Sequence, residues 1–204
     1  MRIQTTIAAA AALLSVAAPA HAAKIIGQLS FTGFVRPIGA TNMSGATGLD
    51  FYNAFALGDP AGPGTILTAI GSTGVFDGII CAGPCGTIQD LSNFSVGPIN
   101  SFFDIGSTIY FDLASITSVS QTTEGPGGSL TLTAWGNFRI AGYETTPGIL
   151  SLTTQGNGLT SFSATALSAV PEPASWAMMI AGFGLMGGIL RASRRSVRVR
   201  YSTN

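Results

Sequence analysis

From residue 28 to residue 166 the chain repeatedly alternates between apolar and polar positions. Leu29, Phe31, Gly33 and Val35 interleave with Gln28, Ser30, Thr32 and Phe34, and Ile109, Phe111 and Leu113 with Thr108, Tyr110 and Asp112. The same period returns at Leu130 and Leu132 against Thr131 and Thr133, and at Leu150 and Leu152 against Ser151 and Thr153. It returns once more at Phe162, Ala164 and Ala166 against Ser161, Ser163 and Thr165. Successive side chains of a strand point to opposite faces, so each run has one apolar and one hydroxyl-rich face, as a half-buried strand does. Turn formers separate the runs: Asp59-Pro60, Gly62-Pro63-Gly64, Gly125-Pro126-Gly127-Gly128, Pro147-Gly148 and Gly156-Asn157-Gly158. No stretch from 23 to 173 keeps a helical period. The pattern predicts an all-β domain, an antiparallel β-sandwich or jelly-roll-like fold, in which the runs near 130, 150 and 162 form a meander.

The two ends follow another rule. Met1-Arg2, an alanine-rich apolar stretch from Ile7 to Ala18, and the small-x-small sequence Ala20-His21-Ala22 read as a secretory signal peptide over 1–22. Cleavage after Ala22 leaves Ala23 as the mature N-terminus. At the other end, Pro171-Glu172-Pro173 precedes an uncharged run to Leu190, and arginines follow at 191, 194, 195, 198 and 200. As a helix, Trp176 to Leu190 covers roughly 22 Å. That is short for a hydrocarbon core of about 30 Å, but the flanking Ala174, Ser175 and Ala192 bring the run to the lower limit for a span. A transmembrane helix over about 174–190 is therefore expected. Trp176 stands at the interface, and Arg191, Arg194 and Arg195 form a basic stop on the cytoplasmic side. Residues 196–204 follow as a cytoplasmic tail. The two prolines fix φ and favour an extended backbone around Glu172, which suits a peptide presented to a partner at small ordering cost.

The sequence Pro171-Glu172-Pro173-Ala-Ser-Trp176-Ala-Met-Met-Ile-Ala-Gly-Phe-Gly, closed by arginines, resembles the PEP-CTERM sorting signal in its PEPxxWA variant. The resemblance covers about 171–195. It implies a Gram-negative bacterium with an extracellular polysaccharide system. It also implies an exosortase partner, a membrane-embedded cysteine transpeptidase that cleaves near the Pro-Glu-Pro. On that reading the chain is a substrate: anchored transiently, then released to the cell surface or the exopolysaccharide-rich matrix. The continuation to Asn204 is longer than the abrupt basic end usual in the family.

Two glycine patterns in the apolar run have different weight. Gly182-x-Gly184-x-x-Gly187 matches a dinucleotide-binding fingerprint in letters only, because no strand precedes it and no βαβ unit follows. Gly184-x-x-x-Gly188 is a small-xxx-small pattern that lets helices approach closely.

The exported part, 23–169, is long enough for one domain with a core. Its Lys24, Arg36 and Arg139 stand against Asp50, Asp59, Asp77, Asp90, Asp104, Asp112, Glu124 and Glu144, a net of minus five. Such a charge disfavours nucleic acid as a partner. Cys81 and Cys85 are the only cysteines, and in an exported chain they read as a disulfide closing a short loop. Two thiolates with no mature histidine to join them lack the further ligands a metal site needs, and no dense acidic calcium loop is present. His21 is the single histidine and lies in the signal segment, which excludes histidine-based triads from the mature protein. The residues therefore point to no catalytic group and no cofactor.

A glycoside hydrolase needs only paired carboxylates, for which Asp104 with Asp112 or Glu124 with Glu144 are the formal candidates. A carbohydrate-binding module is the stronger rival to a structural or adhesive role, with Phe51, Tyr52, Phe102, Phe103, Trp135 and Tyr143 as candidate stacking rings. Exposed rings beside Asp or Asn would favour sugar binding. A smooth surface of Ser, Thr and Gly would favour a passive matrix role.

Overall fold

The computed structural model describes residues 22–56, 62–168 and 173–193. The expected signal segment up to His21, the Asp59-Pro60 turn, Pro171, Glu172, Arg194, Arg195 and the tail beyond lie outside the described residues. In chain order the strands are β1 (Ala23–Lys24), β2 (Gly27–Ile38), β3 (Gly48–Phe51), β4 (Gly64–Gly74), β5 (Ile80–Ile88) and β6 (Ile99–Ile105). They continue with β7 (Ile109–Thr122), β8 (Ser129–Ile140), β9 (Tyr143–Glu144), β10 (Thr146–Gln155) and β11 (Thr160–Ser168), followed by one α-helix, α1 (Pro173–Ser193). The described residues form two compact units, divided between Ala169 and Val170.

The first unit is a barrel. Its strands run in the order β11-β10-β8-β7-β6-β5-β4-β2, every neighbouring pair is antiparallel, and β11 also pairs with β2. The closing pair runs in register from Thr160 opposite Val35 to Leu167 opposite Gln28. This corrects the expected sandwich or jelly roll. Alternation shows that each strand buries one face, but two facing sheets and one closed sheet satisfy it equally. The meander of β8, β10 and β11 forms as expected. β3 extends the far end of β2, and β1 pairs in parallel with β9.

Closure requires bends, and β7 supplies some of them. It has 14 residues against 12 in β8, and its register shifts between Leu113 and Ser115 and between Ile116 and Ser118. Each shift puts an extra residue on one strand, bending it and increasing its twist. β5 carries a larger irregularity. Ile66 pairs with Gly86 but Thr68 with Ala82, so four steps along β5 match two along β4. The excess loops out through Gly83, whose φ of 102° favours glycine, and the sulfurs of Cys81 and Cys85 meet at bonding distance across it with their Cα atoms 6.1 Å apart. The expected disulfide therefore staples a bulge within a strand.

The barrel is filled by phenylalanine. Phe31, Phe51, Phe76, Phe102, Phe103, Phe111, Phe138 and Phe162 are all buried. Their rings form one connected chain: Phe102 touches Phe51, Phe51 touches Phe162, Phe162 touches Phe31, and Phe31 touches Phe103. Phe103 then stacks on Phe111, Phe111 meets Phe138, and Phe138 meets Phe76. Centroid separations from 4.7 to 6.4 Å lie in the range where aromatic pairs attract beyond simple area burial. Leu29, Val35, Leu130, Leu132, Leu150 and Leu152 pack around this spine. Gly33 faces inward opposite Phe162, and a Cβ there would collide with the Phe162 ring and the Thr65 carbonyl. The smallest residue on β2 thus makes room for the largest on β11.

The spine predicts a sharp contrast between two truncations. Phe138→Ala, which removes a ring meeting three others, is expected to cost about 3–5 kcal/mol in chemical denaturation. Phe55→Ala, at a ring 66% exposed, is expected to stay within about 0.5 kcal/mol of the parent.

Candidate functional site

The described part of the C-terminal unit is a single helix that begins at a proline. Pro173 opens α1, where a missing backbone N–H is harmless because the first helical N–H groups have no partner within the helix. From Met179 to Gly188 every residue is exposed, with Ile180, Phe183 and Leu185 at 70–71%. The glycines at 182, 184, 187 and 188 face open space. Gly182, Gly184 and Gly187 are all helical, so no strand–turn–helix cradle exists for a dinucleotide. Among the described residues no helix is long and apolar enough to cross a membrane, and the expected span over 174–190 is therefore not shown. Arg191 lies in the last turn of α1. The side chain of Trp176 falls outside the described residues.

Proline at the helix start, an apolar exposed body and a basic last turn follow directly on the barrel's final strand. Residues 169–195 match the family model of the PEP-CTERM protein-sorting motif. The chain carries a PEP-CTERM sorting signal. No curated protein and no solved structure matches the chain. The PEP-CTERM motif implies an exported protein targeted by an exosortase, and a protein so marked is typically a substrate of sorting rather than an enzyme.

The outer face of the exported barrel has two contrasting regions. One is a hydroxyl grid. Ser30, Thr165, Ser151, Thr133 and Ser118 stand side by side across β2, β11, β10, β8 and β7, and Thr32, Ser163, Thr153, Thr131 and Ser120 form the next row. Strand spacing puts neighbours about 4.8 Å apart within a row, and the rows about 6.8 Å apart. All ten positions are uncharged hydroxyls.

The other region holds the charged and aromatic chemistry. Arg139 on β8 makes a two-pronged pair with Asp112 on β7, Nε to Oδ2 at 2.5 Å and one terminal nitrogen to Oδ1 at 2.9 Å. The same terminal nitrogen donates to Ser101 Oγ at 3.0 Å, and the guanidinium lies 5.2 Å from the centre of the Tyr110 ring. Asp112 also accepts the Ser101 backbone N–H at 2.7 Å. A related trio occurs near β3, where Arg36 pairs with Asp50 at 3.4 Å and sits 5.6 Å from the Tyr52 ring. Asp90 caps the Phe51 N–H at 2.8 Å, and burial pushes its carboxyl above the ordinary carboxylate range.

The candidate sugar-stacking rings divide cleanly. Phe51, Phe102 and Phe103 belong to the spine and cannot meet a ligand. Tyr52 is half-buried beside Arg36, whereas Trp135 and Tyr143 are 42% and 39% exposed. Of the formal carboxylate pairs, Asp112 is committed to Arg139 and Ser101, and Asp104 accepts the Thr87 hydroxyl. Among the described residues no group of three or more His, Cys, Asp or Glu is placed to hold a metal ion. Tyr110, Arg139 and Phe55 were not evident as site residues, because only register brings the first two together.

The hydrogen bond from Arg139, opposed by partial burial, holds the Asp112 carboxyl below the ordinary carboxylate value of about 3.9. A depressed folded-state pKa adds stability that is full above the unfolded value and is lost as pH falls through the folded value. Asp112→Asn is therefore expected to flatten the acid limb of a melting-temperature profile below about pH 4 while leaving its shape near neutrality unchanged.

Proposed function

We propose that this chain is a non-catalytic protein of the cell surface or extracellular matrix, exported with its barrel outside and trimmed at its C-terminus by an exosortase. The match of residues 169–195 to the sorting motif carries this reading. In this account the signal peptide is removed after Ala22, which leaves Ala23, the first residue of β1, at the mature end. Helix α1 then enters the bilayer with Arg191, Arg194 and Arg195 on the cytoplasmic side. Exposure of Met179, Ile180, Phe183, Leu185 and Met186 supports insertion, since exposed apolar side chains gain free energy by leaving water. Pro171, Glu172 and Pro173 present the cleavable segment, with Trp176 at the interface.

The hydroxyl grid supports a structural or adhesive role among exopolysaccharide. It is neutral, and each hydroxyl offers a polyhydroxylated neighbour one donor and two acceptor positions. A second reading, carbohydrate binding at a defined site, is favoured by the exposed ring of Tyr143 close in sequence to the Arg139–Asp112 pair.

The sorting account is tested by fractionation and intact mass of the protein from a host with and without its exosortase. The expected mature form lacks residues 1–22 and the chain beyond the Pro-Glu-Pro, and the uncut form collects in the inner membrane when the enzyme is deleted. An intact tail persisting in the membrane of the parent strain would reduce α1 to a simple anchor.

A further inference from the structure

We propose that the row Thr87–Asp104–Tyr110–Arg139, with Phe55 beyond one end and Tyr143 beyond the other, is an extended cleft that binds a neutral glycan chain. The proposal rests on the carbohydrate-binding reading and gives it a place. Register puts Thr87 of β5 opposite Asp104 of β6, Asp104 opposite Tyr110 of β7, and Tyr110 opposite Arg139 of β8. These are consecutive positions around the barrel, so the row runs about 14 Å across the strands.

Two open clefts lie along it. One, of about 650 Å³, is lined by Asn53, Phe55, Thr87, Asp104 and Ser107. The other, of about 310 Å³, is lined by Tyr110, Arg139, Tyr143 and Thr145. Ser107 joins them, since its carbonyl accepts the Tyr110 hydroxyl at 2.8 Å. Two clefts in line suit a polymer better than a compact molecule.

The side chains match a sugar in kind. Phe55 and Tyr143 offer exposed ring faces for the C–H side of a pyranose, while Asp104, Thr87 and Arg139 offer acceptors and donors for its hydroxyls. Arg139 uses Nε and one terminal nitrogen on Asp112 and Ser101, which leaves the donors of the other terminal nitrogen for a ligand. The row is also held in advance. Among the described residues the two non-glycine residues with left-handed φ are Ser101 at 50° and Ser107 at 53°. The first fixes Asp112 and Arg139, and the second fixes Tyr110. Backbone kept in a sparsely populated region at two points of one row is the kind of local cost that persists where geometry serves a ligand. Neutrality follows from charge: Asp104 and Asp112 outnumber Arg139, and the exported part carries a net of minus five, so an acidic polymer is repelled.

The test is affinity electrophoresis of the full-length chain in detergent, through gels containing galactomannan, dextran, mixed-linkage β-glucan or alginate. Retardation by at least one neutral polymer and none by alginate is expected. Phe55→Ala and Tyr143→Ala should each weaken retardation by about tenfold, the equivalent of one well-formed ring contact. Asp104→Asn should weaken it as well, while Thr153→Val, on the hydroxyl grid, should not. All four variants are to be checked for parental melting temperature. Absence of retardation by every neutral polymer would overturn both the site and the carbohydrate reading. Retardation that survives the three row substitutions but falls with Thr153→Val would overturn the site alone and move binding to the grid. Preference for alginate would overturn the neutral-glycan assignment.

Discussion

Eight consecutive residue pairs, Thr160 to Leu167 against Val35 to Gln28, make the first long strand of the barrel the neighbour of its last. Everything else in the exported unit depends on this closure. It removes the two edges that an open eight-stranded sheet would expose, with their rows of unpaired N–H and C=O groups. It also fixes which face of every strand is interior. A slip of one residue of β11 against β2 would turn Phe162 outward and bring Ser163 into the core while Phe31 stayed inside. The phenylalanine spine fills the space that closure creates, and the inward Gly33 allows Phe162 to enter it.

Closure also explains the division of labour along the chain. The barrel is apolar inside and hydroxyl-rich outside, the reverse of the pattern that lets a barrel sit in lipid. The PEP-CTERM segment supplies what the barrel lacks, an apolar helix and an address, and it follows the last strand. The same curvature limits what the surface can touch. Five strands of an eight-stranded barrel wrap past half its circumference, so a flat surface meets only a few of the grid hydroxyls at once, whereas a flexible chain can follow a row.

Much of this was legible in the sequence where the physics is local. The alternations at 29–35, 109–113, 130–132, 150–152 and 162–166 named buried positions that the structure bears out. The tail was legible because its residues act in order along the chain. Closure was not, since it joins segments more than 120 residues apart and leaves no mark on the period of either. Phe102 and Phe103 show a second limit. Adjacent residues of a regular strand face opposite ways, yet both rings are buried, because Ser101 takes a left-handed φ and the pairing of β6 with β7 shifts between Ile99 and Phe103. The disulfide was read correctly as a short loop, but not as a staple inside β5. Three of the candidate sugar-stacking rings proved to be core for the general reason that large aromatics fill interiors first.

Amide hydrogen–deuterium exchange, resolved by residue, tests the closure most directly. The account predicts that the amides joining β2 and β11, from 28–35 and 160–167, are protected to the same degree as those joining β8 and β10, because no edge exists to fray. Exchange of the β2 and β11 amides that face each other at the rate of solvent-exposed edge amides, with β8 and β10 still protected, would show an open sheet and contradict the account.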